Sequence, residues 1–299
     1  MTTVDQHSGG SHDRPSDRHS DRHRDAHIER PEIRRTSLLQ QSLAITRRNL
    51  VHIKRMPEML MDVTIQPVMF VLLFAFVFGG AIAVQGAASG YREWLLGGIM
   101  GQTIAFASFI VAVGLTADID KGIVDRMRSL PINPAAILVG RSISSLVHSF
   151  IGIIVMSLTG LVVGWRIRGS VLDALTAYLL LLLWGFAMIW IGILVGSAMK
   201  SVEAVQGVMF TTIFPITFLS NAFAPTEPMG PVLRTIAEWN PISALVQAVR
   251  ELWGNTGPAP ADAALPLQHP VVATLLWTIG LTLVLAPLSL RAFRNRTQN

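Results

Sequence analysis

Apolar residues gather in six blocks, at 60–83, 94–117, 142–165, 172–199, 205–223 and 271–290, with short polar stretches between them. A bilayer core of roughly 30 Å takes about twenty apolar residues in helical form. The pattern therefore predicts an all-α integral membrane protein with six transmembrane helices. Pro and Gly inside several blocks fit that reading, because membrane helices tolerate them.

Two shorter stretches show helical periodicity without the length of a span. In RTSLLQQSLAITRRNLVHIKRMP, Leu38, Leu39, Leu43, Ile45, Leu50, Ile53 and Met56 share one side, and Arg47, Arg48, Lys54 and Arg55 the other. Val51 breaks the pattern. A basic amphipathic helix over 37–57 can lie in the headgroup layer or against a cytosolic protein, and the two are compatible. In DIDKGIVDRMRSLPINPAA, Ile119, Ile123, Met127 and Leu130 form one stripe, while Asp120, Lys121, Asp125 and Arg128 project elsewhere. Pro131 ends this helix and Pro134 reinforces the break. Such a piece between two spans is either a lever that docks in a groove on a soluble partner or a solvated loop that stops two helices.

The connection over 224–270 divides in two. PTEPMGPVLRTIAEWNPISALVQAVRELW reads as two short apolar helices broken at Asn240–Pro241, interfacial or dipping back toward the membrane. GNTGPAPADAALPLQHP reads as a flexible connector. Residues 1–36 form a polar, low-complexity cytoplasmic tail that cannot bury enough surface to order itself. His12, His19, His23 and His27 could bind a metal weakly there, but a solvated tail is the expectation. The first 59 residues show no apolar core of a signal peptide. The domain division is thus 1–36 tail, 37–57 interface helix and 58–299 transmembrane domain.

The net charge of +5 invites a nucleic-acid reading, and its distribution argues against one. Through residue 35 seven arginines balance seven acidic residues. The excess flanks the apolar blocks. With the N-terminus inside, the inner side holds the N-terminal region, Lys121, Arg126, Arg128, Arg141, Lys200, Arg291, Arg294 and Arg296. The outer side holds Arg92, Arg166, Arg168, Arg234 and Arg250. That bias places both termini in the cytoplasm.

The chain has no cysteine, which removes disulfides, thiolate metal sites and a thiol nucleophile. Its lysines, Lys54, Lys121 and Lys200, follow no glycine, so no phosphate loop is present, and HExxH and GxSxG are also missing. The chain is not expected to hydrolyse ATP itself. Ionisable residues within spans are sparse, Asp62 and His148 among them, too few for the relay of an ion-coupled carrier, although an ATPase-independent secondary carrier using His148 remains the alternative. Gly160/Gly164 and Gly192/Gly196 have the spacing of close helix contacts. Phe106 and Phe109 in the second block, and Phe210, Phe214 and Phe218 in the fifth, either line an apolar substrate path or pack against helices and lipid.

DIDKGIVDRMRSLPINPAAILVGR resembles the cytoplasmic coupling segment of type-2 ABC exporter permeases, and within them the daunorubicin-resistance (DrrB-like) branch. SNAFAPTEPMGPVLRTIAEWNPISALVQAVRELW resembles that branch's segment after the fifth span, and ITRRNLVHIKRMPEML its segment before the first. The resemblance covers about 37–294. Ala224 departs from the apolar residue, often Val, of many members.

The resemblance implies six spans, a coupling helix, short re-entrant helices after the fifth span, and a separate ABC ATP-binding subunit that carries ATP and Mg. It implies a second permease chain, identical or related, and export of hydrophobic drugs, natural products or lipids across the cell membrane. On this reading Asp120, Lys121, Gly122, Ile123, Asp125, Arg126, Met127, Leu130 and Pro131 couple to the ATPase. Ile123, Met127 and Leu130 would seat the apolar face on it. Phe106, Phe109, Phe210, Phe214, Phe218 and Asn221 would line the substrate path. Lipid is the remaining partner, and nucleic acid is not one.

Overall fold

The computed structural model describes residues 37–55, 61–78, 90–128 and 133–298, and these contain helices and turns without a strand. The helices are α1 (Leu38–Arg55), α2 (Met61–Leu73, continued by a π turn Phe74–Phe78), α3 (Tyr91–Asp120), α4 (Ile123–Arg128), α5 (Pro134–Val163) and α6 (Val171–Ala198). They are followed by α7 (Val202–Phe218), α8 (Pro231–Trp239), α9 (Pro241–Leu252), α10 (Leu265–Gln268) and α11 (Pro270–Gln298). The polar tail falls outside the described residues, as do Leu130 and Pro131.

Among the described residues α3, α5, α6 and α11 are long and apolar enough to cross a membrane, with α2 and α7 as shorter apolar helices. At about 1.5 Å per residue, the 17 residues of α7 fall just short of the hydrocarbon core. The sixth apolar block starts its helix where expected but runs on to Gln298. The third starts eight residues early, because Asn133 caps α5 by accepting from the Ala135 N–H at 2.9 Å and Pro134 suits the first turn.

α3 is the central helix, packed on α5, α6, α7 and α9. Gly192 and Gly196 let α6 close on it: a Cβ at Gly192 would meet the Ser108 carbonyl at 2.3 Å, and one at Gly196 the Ala112 carbonyl at 2.6 Å. The other glycine pair serves differently, with Gly160 against Leu96 and Gly164 in the left-handed cap of α5. Two large apolar clusters fill the bundle. One, at the α9 end, joins Leu95, Ile99, Trp165, Trp184, Leu245 and Trp253; the other, at the α4 end, joins Ile45, Leu115, Leu138, Trp190, Ile193 and Phe293.

α1 packs on α5 through Ser42, Ile45 and Thr46, whose hydroxyl donates to the Gly140 carbonyl at 3.2 Å. Arg47 and Arg48 face out, as the amphipathic pattern requires, but so does Leu43. The stretch after α9 is not a loose connector. Asn255, Ala263 and Leu267 are buried and α10 packs on α8, α9 and α11.

Candidate functional site

At the α4 end, the helix expected to run through the coupling segment is broken. α3 carries on to Asp120, Lys121 and Gly122 make a turn, and α4 then occupies six residues. Gly122 has φ 67°, a conformation that a side chain disfavours. Ile119 therefore belongs to the end of α3. α4 points its apolar residues inward: Val124 is 1% and Met127 8% exposed, both within the cluster that holds Ile45, Leu138 and Phe293. Ile123 packs partly buried on the same cluster. Met127 and, in part, Ile123, the residues expected to seat the apolar face on the ATPase, pack on this chain's own bundle. Asp120, Lys121 and Arg126 are exposed. Ion pairs fasten the turn from both sides, Asp118 with Arg141 of α5 and Asp120 with Arg296 of α11 at 3.0 Å. Arg48 of α1 approaches the Met127 sulfur at 3.4 Å.

The five phenylalanines split into two sets. Phe106 and Phe109 are partly buried against Ala112, Val205, Met209 and Ile213, where α3 meets α7. Phe210, Phe214 and Phe218 stack along an exposed face of α7 with centroids 5.0 and 4.3 Å apart. The stack continues through Phe223 at 4.9 Å to Phe74 at 4.9 Å and Phe70 at 5.9 Å. The sequence reading missed this extension, because Phe70 and Phe74 sit in a different apolar block and only the fold brings the blocks together.

Asn221 stands apart from the aromatic row, in a buried joint at the α9 end. There Arg250 of α9 is fully buried. Its Nε donates to the Trp94 carbonyl at 2.7 Å, and its Nη1 and Nη2 donate to the carbonyls of Asn221 and Ala222 at 2.9 and 3.0 Å. The guanidinium also lies over the Trp94 ring at 3.3 Å from the centroid. Gly97 and Gly98 make the room: a Cβ at Gly98 would sit 1.8 Å from the Ala222 carbonyl oxygen. The Asn221 N–H donates to Ser243 Oγ at 3.0 Å and the Tyr91 hydroxyl to the Phe223 carbonyl at 3.0 Å. Asn240, at the expected break, caps α9 through the Ile242 N–H and donates to the Ile216 and Leu219 carbonyls at 2.6 and 2.8 Å. Sequence reasoning counted Arg250 among outer charges; the paired glycines Gly97–Gly98 were the signal that a large group passes close by.

A second polar knot flanks this joint. Buried Glu93 accepts both arms of Arg168 at 2.9 Å, and Asn255 accepts from the Trp165 indole at 2.7 Å. The bond to Glu93 holds the Arg168 guanidinium above its ordinary pKa. Burial pushes Glu251 up, partly offset by its bond from Gln247. A raised folded-state pKa means the folded chain binds the proton more tightly, so this group's contribution falls as pH rises from the ordinary carboxylate range through the folded pKa. Glu251→Gln is therefore expected to raise the melting temperature at neutral pH, with the gain shrinking as pH is lowered through that range. A pH series of melts on the two proteins checks it.

Comparison with known proteins bears on both ends of the molecule. The ABC-2 type transporter family model matches residues 40–252, which takes in most of α1, the coupling turn and the Arg250 joint. The chain belongs to the ABC-2 type transporter family. It is 30% identical over 268 residues, 90% of each chain, to the daunorubicin resistance ABC transporter permease protein DrrB1 of Streptomyces coeruleorubidus. It is 24% identical over 253 residues, 82% of this chain and 85% of the other, to the probable doxorubicin resistance ABC transporter permease protein DrrC of Mycobacterium tuberculosis (strain CDC 1551 / Oshkosh). It is also 23% identical over 220 residues, 73% and 76% of the two chains, to the putative transport permease ycf38 of Cyanophora paradoxa. The DrrB-like resemblance is thereby established, and this ABC-2 permease is a multi-pass membrane protein.

Proposed function

We propose that the chain is the membrane subunit of an ATP-driven exporter in the cell membrane. It pairs with a second permease chain and with separate ABC ATP-binding subunits that carry ATP and Mg. α2 with its π turn and α7 serve as the first and fifth of six spans, the two termini are cytoplasmic, and α8 and α9 re-enter from the outer side. The observation that carries this reading is the build of α4. Its apolar side is locked into the bundle, and Asp120, Lys121 and Arg126 stand exposed beside it. A partner that pushes on that charged face moves α3 and α5 directly.

The cargo is a hydrophobic drug, natural product or lipid. Crevices of about 20 and 240 Å³ between the helices are smaller than the roughly 300–1,000 Å³ of drug-sized sites. The exposed aromatic row on α7, by contrast, offers a planar apolar face that a second chain would close over. The relatives' names make daunorubicin and doxorubicin the first probes. The decisive experiment is purification from native membranes in mild detergent, followed by assay of ATP hydrolysis and of ATP-driven doxorubicin uptake into inverted vesicles. Co-purification of an ATPase and uptake that persists after collapse of the proton gradient support the reading. Uptake that vanishes with the gradient while ATP stays high sinks it in favour of a secondary carrier.

Phe214→Ala removes the middle ring of the row. It is expected to lower doxorubicin uptake several-fold, since one stacked aromatic is worth about 0.5–1.5 kcal/mol, without loss of folded protein. Uptake measured at equal protein density checks this.

A further inference from the structure

The end of α11 does not run off into solvent; it is built into the coupling turn. Phe293 is fully buried in the cluster that also contains Val124 and Met127 of α4 and Ile189 and Ile193 of α6. About one turn later, Arg296 Nη1 donates to the Gly196 carbonyl at 3.0 Å and to the Met199 carbonyl, and Nη2 donates to Asp120 Oδ1 at 3.0 Å. These carbonyls close the end of α6, where helix geometry leaves acceptors without intrahelical donors and the dipole favours a cation. The Gly196 carbonyl also accepts from Thr116 Oγ1 of α3 at 2.9 Å. One guanidinium thus ties the end of α6, the end of α3 and α11 together at the point where α4 begins. Its rigid fork suits this task, which an ammonium could not perform with the same geometry.

We infer that Arg296, supported by Phe293, is a positioning residue for transport: it makes α11 and α6 a second output of the coupling turn. A push on α4 reaches α3 and α5 through the chain, and α6 and α11 through the Asp120–Arg296 joint and the Phe293 seat. Asp120 then acts within this chain as well as on the charged face of the turn. The inference rests on the proposed ATPase-coupling role of α4.

The test has two readouts on the full chain. Amide hydrogen exchange in lipid nanodiscs compares the wild type with Arg296→Gln, Phe293→Ala and the exchange Asp120→Arg with Arg296→Asp. ATP-driven doxorubicin uptake per ATP hydrolysed is then measured on the complexes with their co-purified ATPase. Arg296→Gln is expected to speed exchange over 120–128 and 196–200, to keep the ATPase bound, and to lower uptake per ATP by about fivefold or more, the lower range of coupling effects. Reversing both charges is expected to restore the part of the loss that runs through the 120–296 ion pair but not the part that runs through the Gly196 and Met199 carbonyls, which a carboxylate cannot cap; a mere loss of helix capping would predict no recovery at all. Unchanged exchange in both segments overturns the joint, whatever the partner. Faster exchange with unaltered uptake per ATP overturns its role in transport, as does loss of the ATPase from Arg296→Gln. If wild type itself retains no ATPase, the coupling reading falls and takes the transport role with it, while exchange still reports whether the joint exists. Phe293→Ala applies the same criteria should Arg296→Gln fail to fold.

Discussion

Arg250→Ala is expected to cost this permease its folded state in detergent. Three backbone carbonyls lose a charged donor, and hydrogen bonds to charged groups are each worth about 1.5–3 kcal/mol. The Trp94 face loses its cation, and a side chain with no solvent exposure leaves a cavity. Even with incomplete additivity the loss reaches about 4–5 kcal/mol, the range in which single substitutions unfold proteins. Arg250→Lys should rescue little, because one ammonium cannot span the carbonyls of Trp94, Asn221 and Ala222 or stack as a plane on the ring. Gly98→Ala attacks the joint from the opposite wall by driving a methyl into the Ala222 carbonyl. Size-exclusion profiles and melting curves of the three variants in mild detergent make the comparison. A wild-type melt for Arg250→Ala would show that the joint is not what holds α9 and the 219–223 turn to α3.

This joint also marks where the sequence stops being readable. Apolar runs announce helices, so α3, α6 and the Asn240 break were legible from composition and spacing alone. Depth was not. Arg250 sits in a helical stretch that mixes apolar and polar neighbours, and nothing local distinguishes an arginine in water from one enclosed by carbonyls contributed by α3 and the turn after α7. The same holds for direction. The stripe Ile123, Met127 is correctly apolar, but a stripe says only that a surface is covered, and the covering surface comes from α1, α5, α6 and α11, far along the chain. The α7 phenylalanines repeat every four residues and announce one face; that Phe223 and Phe74 extend the row depends on a turn and a π segment with no periodic signature. Helix ends were misjudged where polar caps such as Asn133 prolong a helix beyond its apolar block.

The direction of that stripe decides how coupling should be probed. Met127→Asp places a carboxylate in an apolar cluster of this chain, and an unpaired polar group there costs several kcal/mol. It is expected to lower the yield of folded permease, so loss of a bound ATPase in that variant says nothing about docking. Lys121→Glu with Arg126→Glu changes four units of charge on the exposed side of the turn and leaves the cluster untouched. This double variant is expected to fold with its apolar cluster intact and to retain the ATPase about tenfold less well or worse, because like charges brought together at a docked face cost several kcal/mol. Raised salt should weaken the wild-type complex in the same direction, as screening acts on exposed charges. Co-purification measured beside the melting curve separates the two outcomes. A folded double variant that keeps its ATPase and exports normally would move the docking surface off this turn, leaving α4 as a brace that the bundle needs for its own packing.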